Sequence, residues 1–275
     1  MISHLKISVL TDNLARALFL SEWGLSILIE ADGRKILLDT GASGMFAENA
    51  KTLGADLAEV DVGVLSHAHY DHADGLDSFF SLNSAAPFLV REGSRENCFG
   101  LKDGAVEYIG IKKGLLTEYR DRIRTVSGLY EIPEGIRLVP HRPEDYSAIA
   151  RRNDLYTCCD RAYFPDSFSH EQSLVIDTRA GLAVFSSCSH TGMTNILKDV
   201  KQALDRDDFL AYVGGLHLYK LTDEELSSLC DEIERSGVAH IYTGHCTGDH
   251  AFRFLHERLG DRIVQFCSGF VCDIV

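Results

Sequence analysis

The chain has 275 residues, enough for one large domain or two small ones around a substantial core. With 45% apolar and 25% charged residues it is not an intrinsically disordered chain, a collagen, a coiled coil or a small disulfide scaffold. Its 27 basic and 41 acidic side chains give a formal charge of -14, a surface that repels phosphate backbones, so no nucleic-acid partner is expected, while a local basic pocket for one small anion stays compatible.

An apolar stretch at 5–10 opens the chain as a strand. Asp12, Asn13 and Arg16 interrupt the apolar residues after it, and no run approaches the roughly 18 apolar residues of a membrane helix. Neither a membrane partner nor a signal peptide is therefore expected. Residues 25–30 and 35–39 are strands joined by Ala31-Asp32-Gly33-Arg34, where the Asp-Gly step signals a hairpin. Phe46, Ala50 and Leu53 share one face of a helix that Gly54 closes. Residues 61–65 form a short buried strand ending at Ser66.

All five prolines, Pro87, Pro133, Pro140, Pro143 and Pro165, fall in the middle of the chain. Proline interrupts helices and central strands, so an irregular lid or substrate wall is expected from about 87 to 165, between regular flanks. A second hairpin follows, 174–176 with 182–185, turning at Arg179-Ala180-Gly181. Next comes a helix whose inner face carries Met193, Ile196, Leu197, Val200 and Leu204, then a strand at 209–213. Thr222 and Glu225 form a capping box ahead of a helix buried through Leu226, Leu229, Cys230 and Ile233. A strand at 238–242, a helix marked by Phe252, Leu255 and Leu259, and closing strands at 263–266 and 270–275 complete the chain. Hairpins demand antiparallel pairing and helices must cover sheets, so a single layered α/β domain over 1–275 is expected. The eight cysteines, with no C-x-x-C pair, read as buried or unreactive reduced thiols of a cytoplasmic protein.

The chemistry concentrates in Ser66-His67-Ala68-His69-Tyr70-Asp71-His72-Ala73-Asp74-Gly75. Four metal-binding side chains stand within six residues, directly after a buried strand. On an extended segment His67 and His69 point the same way, while Asp71 and His72 need a turn to reach a second centre. Neutral imidazole and carboxylate suit zinc, iron or manganese. The plain alternative, a polar turn of solvated histidines, is disfavoured by three histidines and an aspartate at this spacing. So short a cluster needs distant partners. His190, in Ser187-Cys188-Ser189-His190-Thr191-Gly192, and His245, in Thr243-Gly244-His245-Cys246-Thr247-Gly248, each follow a strand and precede a helix.

The H-x-H-x-D-H motif, isolated histidines after later strands and Asp39-Thr40-Gly41 after an apolar strand resemble the metallo-β-lactamase superfamily over nearly the whole chain. The resemblance implies a four-layer αββα sandwich with a metal site at one edge of the two sheets. It implies two divalent ions, zinc first with iron or manganese compatible. His67, His69 and His190 would bind one, and Asp71, His72 and His245 the other. Asp39 would orient ligands or, equally, accept backbone hydrogen bonds at a strand end.

A narrower resemblance rests on Val9-Leu10-Thr11-Asp12-Asn13, Glu22-Trp23-Gly24, Glu171-Gln172-Ser173-Leu174, Cys188-Ser189-His190, Gly214-Gly215-Leu216-His217-Leu218 and His245-Cys246-Thr247-Gly248. These are similar to a subgroup labelled dihydropterin–ribofuranosylaminobenzene phosphate synthases, of the methanopterin-type pathway. Two departures stand out. Trp23 replaces the histidine usual in the E-x-G segment. Gly214-Gly215 stands where many superfamily members carry a metal-bridging aspartate, and His217 is the nearest replacement. It would bind the second metal, contact substrate phosphate or protonate a leaving group. Cys188 and Cys246 flank ligands without holding a family ligand position, and His250 is a weaker site candidate.

The leading expectation is hydrolysis of a small substrate, phosphorylated by analogy with the subgroup, by a metal-bound hydroxide that Asp71 orients and with His217 at the electrophile or leaving group. The alternatives are metal-dependent condensation or transfer on a pterin and a non-catalytic metal-binding sensor.

Overall fold

The computed structural model describes residues 1–275. The chain lays down β1 (Leu5–Thr11), β2 (Ser26–Ala31), β3 (Arg34–Leu38), α1 (Met45–Leu53), β4 (Val62–Val64), the single turn α2 (Tyr70–Ala73), α3 (Leu76–Leu82) and β5 (Phe88–Arg91). The middle adds β6 (Cys98–Lys102), β7 (Ala105–Tyr108), α4 (Leu115–Glu118), β8 (Ile123–Val126), β9 (Tyr130–Ile132), β10 (Ile136–Pro140), α5 (Ser147–Arg152), β11 (Leu155–Cys159) and β12 (Ala162–Pro165). Then follow β13 (Gln172–Thr178), β14 (Gly181–Phe185), α6 (Met193–Leu204), β15 (Phe209–Val213), α7 (Asp223–Ser236), β16 (His240–Thr243), α8 (Asp249–Leu259), β17 (Ile263–Gln265) and β18 (Val271–Asp273). The β2–β3 turn has positive φ at both Asp32 (46°) and Gly33 (91°), which the mirror-image hairpin turn requires.

One seven-stranded sheet runs β18-β1-β2-β3-β4-β5-β8, and a second runs β17-β16-β15-β14-β13-β10-β9. The period-2 alternation of each strand divides its residues between two cores. Ile27 and Ile29 of β2, and Leu174 and Ile176 of β13, meet between the sheets, together with Phe185 and Val213. The opposite faces carry helices. Leu28 and Leu37 pack under Phe46 and Phe79 of α1 and α3. Val175, Val184 and Tyr212 pack under α6, α7 and α8 through Ile196, Leu226 and Leu255. The molecule is therefore a four-layer αββα sandwich of the metallo-β-lactamase type, as expected.

The middle segment is not irregular. It contains eight strands and two helices, and β12-β11-β6-β7 form a separate four-stranded sheet. The prolines sit where a missing amide proton does little harm. Pro87 precedes β5, Pro133 opens the β9–β10 turn, and Pro140 and Pro165 end their strands.

Parallel pairing decides where the loops go. β3, β4 and β5 are mutually parallel in one sheet, and β14, β15 and β16 in the other. The carboxyl ends of each set, with their following loops, share one edge of the sandwich.

Candidate metal centre

Each loop on that edge delivers one or more of the expected residues. Ser66 leaves β4 with its backbone N–H donating to Asp39 Oδ1 (2.7 Å) and its hydroxyl to Asp39 Oδ2 (2.6 Å). His69 is still extended (φ -97°, ψ 150°), and the single turn α2 then carries Asp71 and His72 round towards His245, with the His72 ring still 4.1 Å by centroid from that of His67. Trp23-Gly24 approaches from the β1–β2 connection. A methyl group on Gly24 would lie 2.8 Å from Ala42 N and 2.9 Å from Asp71 O, so only glycine lets this loop lie against the motif. Glu22 accepts hydrogen bonds from the Ala42 and Ser43 amides and from the Ser43 hydroxyl, which pins the loop after Asp39.

The structure brings the candidate ligands together in two sets. The rings of His67, His69 and His190 lie 4.7–4.9 Å apart by centroid and 72–82° to one another. Nε2 of His67 and of His69 are buried without any hydrogen-bond partner. Glu171 Oε1 holds His190 from behind, 3.0 Å from Nδ1 and 3.0 Å from the backbone amide. In the second set His72 Nε2 and His245 Nε2 are 3.2 Å apart, with Asp71 Oδ2 3.7 Å and 3.4 Å from them. Cys188 Sγ lies 3.2 Å from His72 Nε2.

These donors fit a metal. Four ligands at 2.0–2.3 Å in a tetrahedron lie about 3.3–3.8 Å from one another, close to the spacing of the second set. Tautomers strengthen the case. His72 Nδ1 faces Asp39 Oδ2 at 2.8 Å, and His245 Nδ1 faces Asn13 Oδ1 at 2.9 Å. Asn13 Nδ2 donates to the His245 carbonyl, which fixes the amide so that its oxygen meets the ring. Both Nδ1 atoms therefore donate, so in the neutral rings the two Nε2 lone pairs face each other beside Asp71, and a cation is needed there, either a proton on His245 or a metal ion. Carboxylates behind His72 and His190 hold tautomer and ring angle as metal-binding histidines require.

The electrostatics agree. Burial, then neighbouring imidazoles, hold His67 and His69 well below their usual range, so both are neutral. Burial alone would lower His245, yet its hydrogen bond to Asp71 and nearby negative groups push it up to about 9. Asp71 stays ionised, because His72 and His245 outweigh the cost of its burial. This pocket attracts positive charge. Asp39 (φ 60°), Ser189 (54°), His217 (51°) and His245 (50°) all have left-handed backbone, strain of about 1 kcal/mol or more each at non-glycine residues.

His217 lies beside His190, with ring centroids 4.6 Å apart, rather than beside His72 and His245. Both its ring nitrogens are buried without a partner, and burial lowers its pKa. Gly215 explains the missing carboxylate. A methyl group there would lie 2.5 Å from Cys246 Sγ and 2.8 Å from Ser187 O, so no side chain fits. His250 is exposed on α8 and paired with Asp223, away from the site. The residues behind the ligands were the least legible. His141, whose side chain is covered, faces Glu171 Oε2 at 3.0 Å. His170, also buried, accepts a hydrogen bond from Ala68 N through Nδ1 and meets Asp166 at 3.0 Å. No local spacing ties either to the motif.

A cavity of about 560 Å³ opens on the centre, a volume suited to a small molecule. Trp23, Tyr70 and Tyr219 line it with the candidate ligands, and Leu101, Lys102, Glu107 and Asp154 of the small sheet and its loops form the far wall. No helix of the structure is long and apolar enough to cross a membrane.

Known proteins resemble this chain in sequence and fold. The model of the Metallo-beta-lactamase superfamily matches residues 24–147. A 7,8-dihydropterin-6-methyl-4-(beta-D-ribofuranosyl)-aminobenzene-5'-phosphate synthase of Methanocaldococcus jannaschii is 27% identical, covering 98% of this chain and 96% of that protein. A solved metal-dependent hydrolase of the β-lactamase superfamily superposes with a TM-score of 0.82 at 28% identity, covering 98% of each chain. The metallo-β-lactamase fold protein YhfI of Bacillus subtilis shares the fold at a TM-score of 0.59 and 11% identity, covering 98% of this chain and 99% of its own. With the sandwich, the motif and these full-length similarities together, the chain is similar to proteins of the metallo-β-lactamase superfamily and shares their fold.

Proposed function

We propose that the chain is a metal-dependent hydrolase of a small phosphorylated substrate. One observation carries this reading: two sets of partnerless or mutually facing imidazole nitrogens converge on the floor of a cavity. His67, His69 and His190 would hold one divalent ion, zinc first. Asp71, His72 and His245 would hold the other. When bound, the pair supplies Lewis acidity and an activated water.

The chain's own residues do the rest. Asp71, held ionised, accepts a hydrogen bond from the attacking water and fixes its direction. His217 is neutral and carries one N–H among its two partnerless nitrogens, so it donates to the oxygen of the electrophile or the leaving group. Trp23 and Tyr219 offer faces to a flat substrate, and Lys102 on the wall meets a phosphate in an otherwise acidic molecule. The proposed partner is thus a small molecule, with neither nucleic acid nor membrane.

The second reading, condensation on a dihydropterin, is favoured by the relative named above, which matches along 98% of the chain. Zinc- or manganese-loaded protein tested on phosphomonoesters, phosphodiesters and carboxylic esters separates the two. Metal-dependent hydrolysis that His217→Ala depresses supports the hydrolase. Inertness of the fully loaded chain towards every ester, with a dihydropterin quenching the fluorescence of the single tryptophan Trp23, supports the condensing enzyme instead.

A further inference from the structure

We infer that Cys188 is a thiolate ligand shared by the two metal positions, in the bridging place left open by the missing carboxylate; this rests on the metal centre proposed above. Cys188 is buried, and its sulfur lies 3.2 Å from His72 Nε2. It falls within 4.8 Å of the donor atoms of His67 and His72, of His190 and His217, and of His245 and Cys246. The sulfur thus faces His67 and His190 of one set and His72 and His245 of the other. His67 Nε2, fully buried, has no other partner.

The backbone explains why a sulfur stands here. Gly214 and Gly215 carry no side chain, so the strand end packs directly on the loop after β14. Gly215 N donates to Ser187 O (2.8 Å), and the Ser189 hydroxyl donates to Gly215 O (2.6 Å). These contacts place Cys188 between the donor sets. The glycine that removes the carboxylate also admits the loop that carries the thiol, because any side chain at 215 would collide with Ser187 and Cys246. Cys246 Sγ lies within 4.8 Å of Cys188 Sγ and a His245 ring nitrogen, but its thiol hydrogen bond runs to the Cys188 carbonyl oxygen at 3.6 Å.

The chemistry balances without a redox step. On metal binding the Cys188 S–H bond breaks, its proton passes to solvent, and sulfur donates its electron pair to metal. A full negative charge between two dications offsets their repulsion, the service a bridging carboxylate provides. Soft thiolate alongside imidazole also favours zinc over manganese.

Cobalt(II) reports the ligand directly, since thiolate coordination adds an intense sulfur-to-cobalt charge-transfer absorption in the near ultraviolet. Two cobalt ions with that band are expected in the parent. Cys188→Ser should abolish the band and weaken the second ion about tenfold or more, a loss typical of a disturbed metal site. Cys246→Ser should keep both. Two cobalt ions without the band, or a band that survives Cys188→Ser, overturns the assignment while leaving the hydrolase reading intact. A parent that takes up no cobalt sinks both. Cadmium NMR of the unsubstituted chain needs no variant: two resonances in the thiolate range support a shared ligand, and a single one refutes it.

Discussion

Asp39 shows how one side chain organises the centre. Fully buried, it accepts hydrogen bonds from the Ser66 amide and hydroxyl and faces His72 Nδ1. One carboxylate thus accepts the backbone hydrogen bond and also faces the ring nitrogen of a candidate ligand, the two placements read for it in the sequence. Asp39→Asn keeps the shape but puts an amide where two acceptor oxygens are needed. Metal affinity on the His72 side should fall about 10–100-fold, measured by chelator competition, with far-UV circular dichroism unchanged. An unchanged affinity would mean that His72 keeps its orientation without the charge. Residues of this kind were partly legible. The candidate ligands announced themselves by spacing, whereas Glu171, Asn13 and Asp12 stood in the sequence only as pieces of a subgroup pattern, because a supporting carboxylate has no fixed distance from the histidine it supports.

Elements followed local rules closely where those rules are strong. α7 begins with the expected capping box, Thr222 Oγ1 accepting from Glu225 N and Glu225 accepting from Thr222 N. It ends at Gly237 in the left-handed conformation. Thr222→Ala leaves a first-turn N–H without its cap and should cost about 1 kcal/mol. In a chain of this size that lowers Tm by about 2 °C, readable by calorimetry. No shift would show that the turn is held by packing of Leu226 rather than by the cap. The middle of the chain escaped the same rules. Proline density was read as irregularity, but the prolines punctuate short strands, and antiparallel pairs such as β6 with β11 join residues far apart in sequence. A single strand of four or five residues carries too little periodicity to declare itself.

At the scale of the molecule, the three large apolar clusters are complete without any ion. The candidate metal donors sit outside them, on loops from both sheets. An ion bound only by the folded chain stabilises it by about 3–4 kcal/mol when present at 100–1,000 times its dissociation constant. Chelation should therefore lower Tm by several degrees, restore it on adding zinc, and leave far-UV circular dichroism at low temperature unchanged. Loss of the dichroism on chelation would make the metal structural for the whole fold. The acidic charge fits the same picture, since a surface at -14 concentrates cations near the site while a few lysines mark its wall.

Spacings of a few residues already encode the alternation of sheets and helices in the two flanks, the hairpins, the principal caps and the six candidate ligands. Packing in three dimensions settles which nitrogens face one another, that His217 stands with His190, that position 215 has no room for a side chain, and that Cys188 lies between the two donor sets. Those outcomes depend on parallel strands aligning their carboxyl ends and on glycine backbones packing within a few ångströms. Such distances are set by elements far apart along the chain.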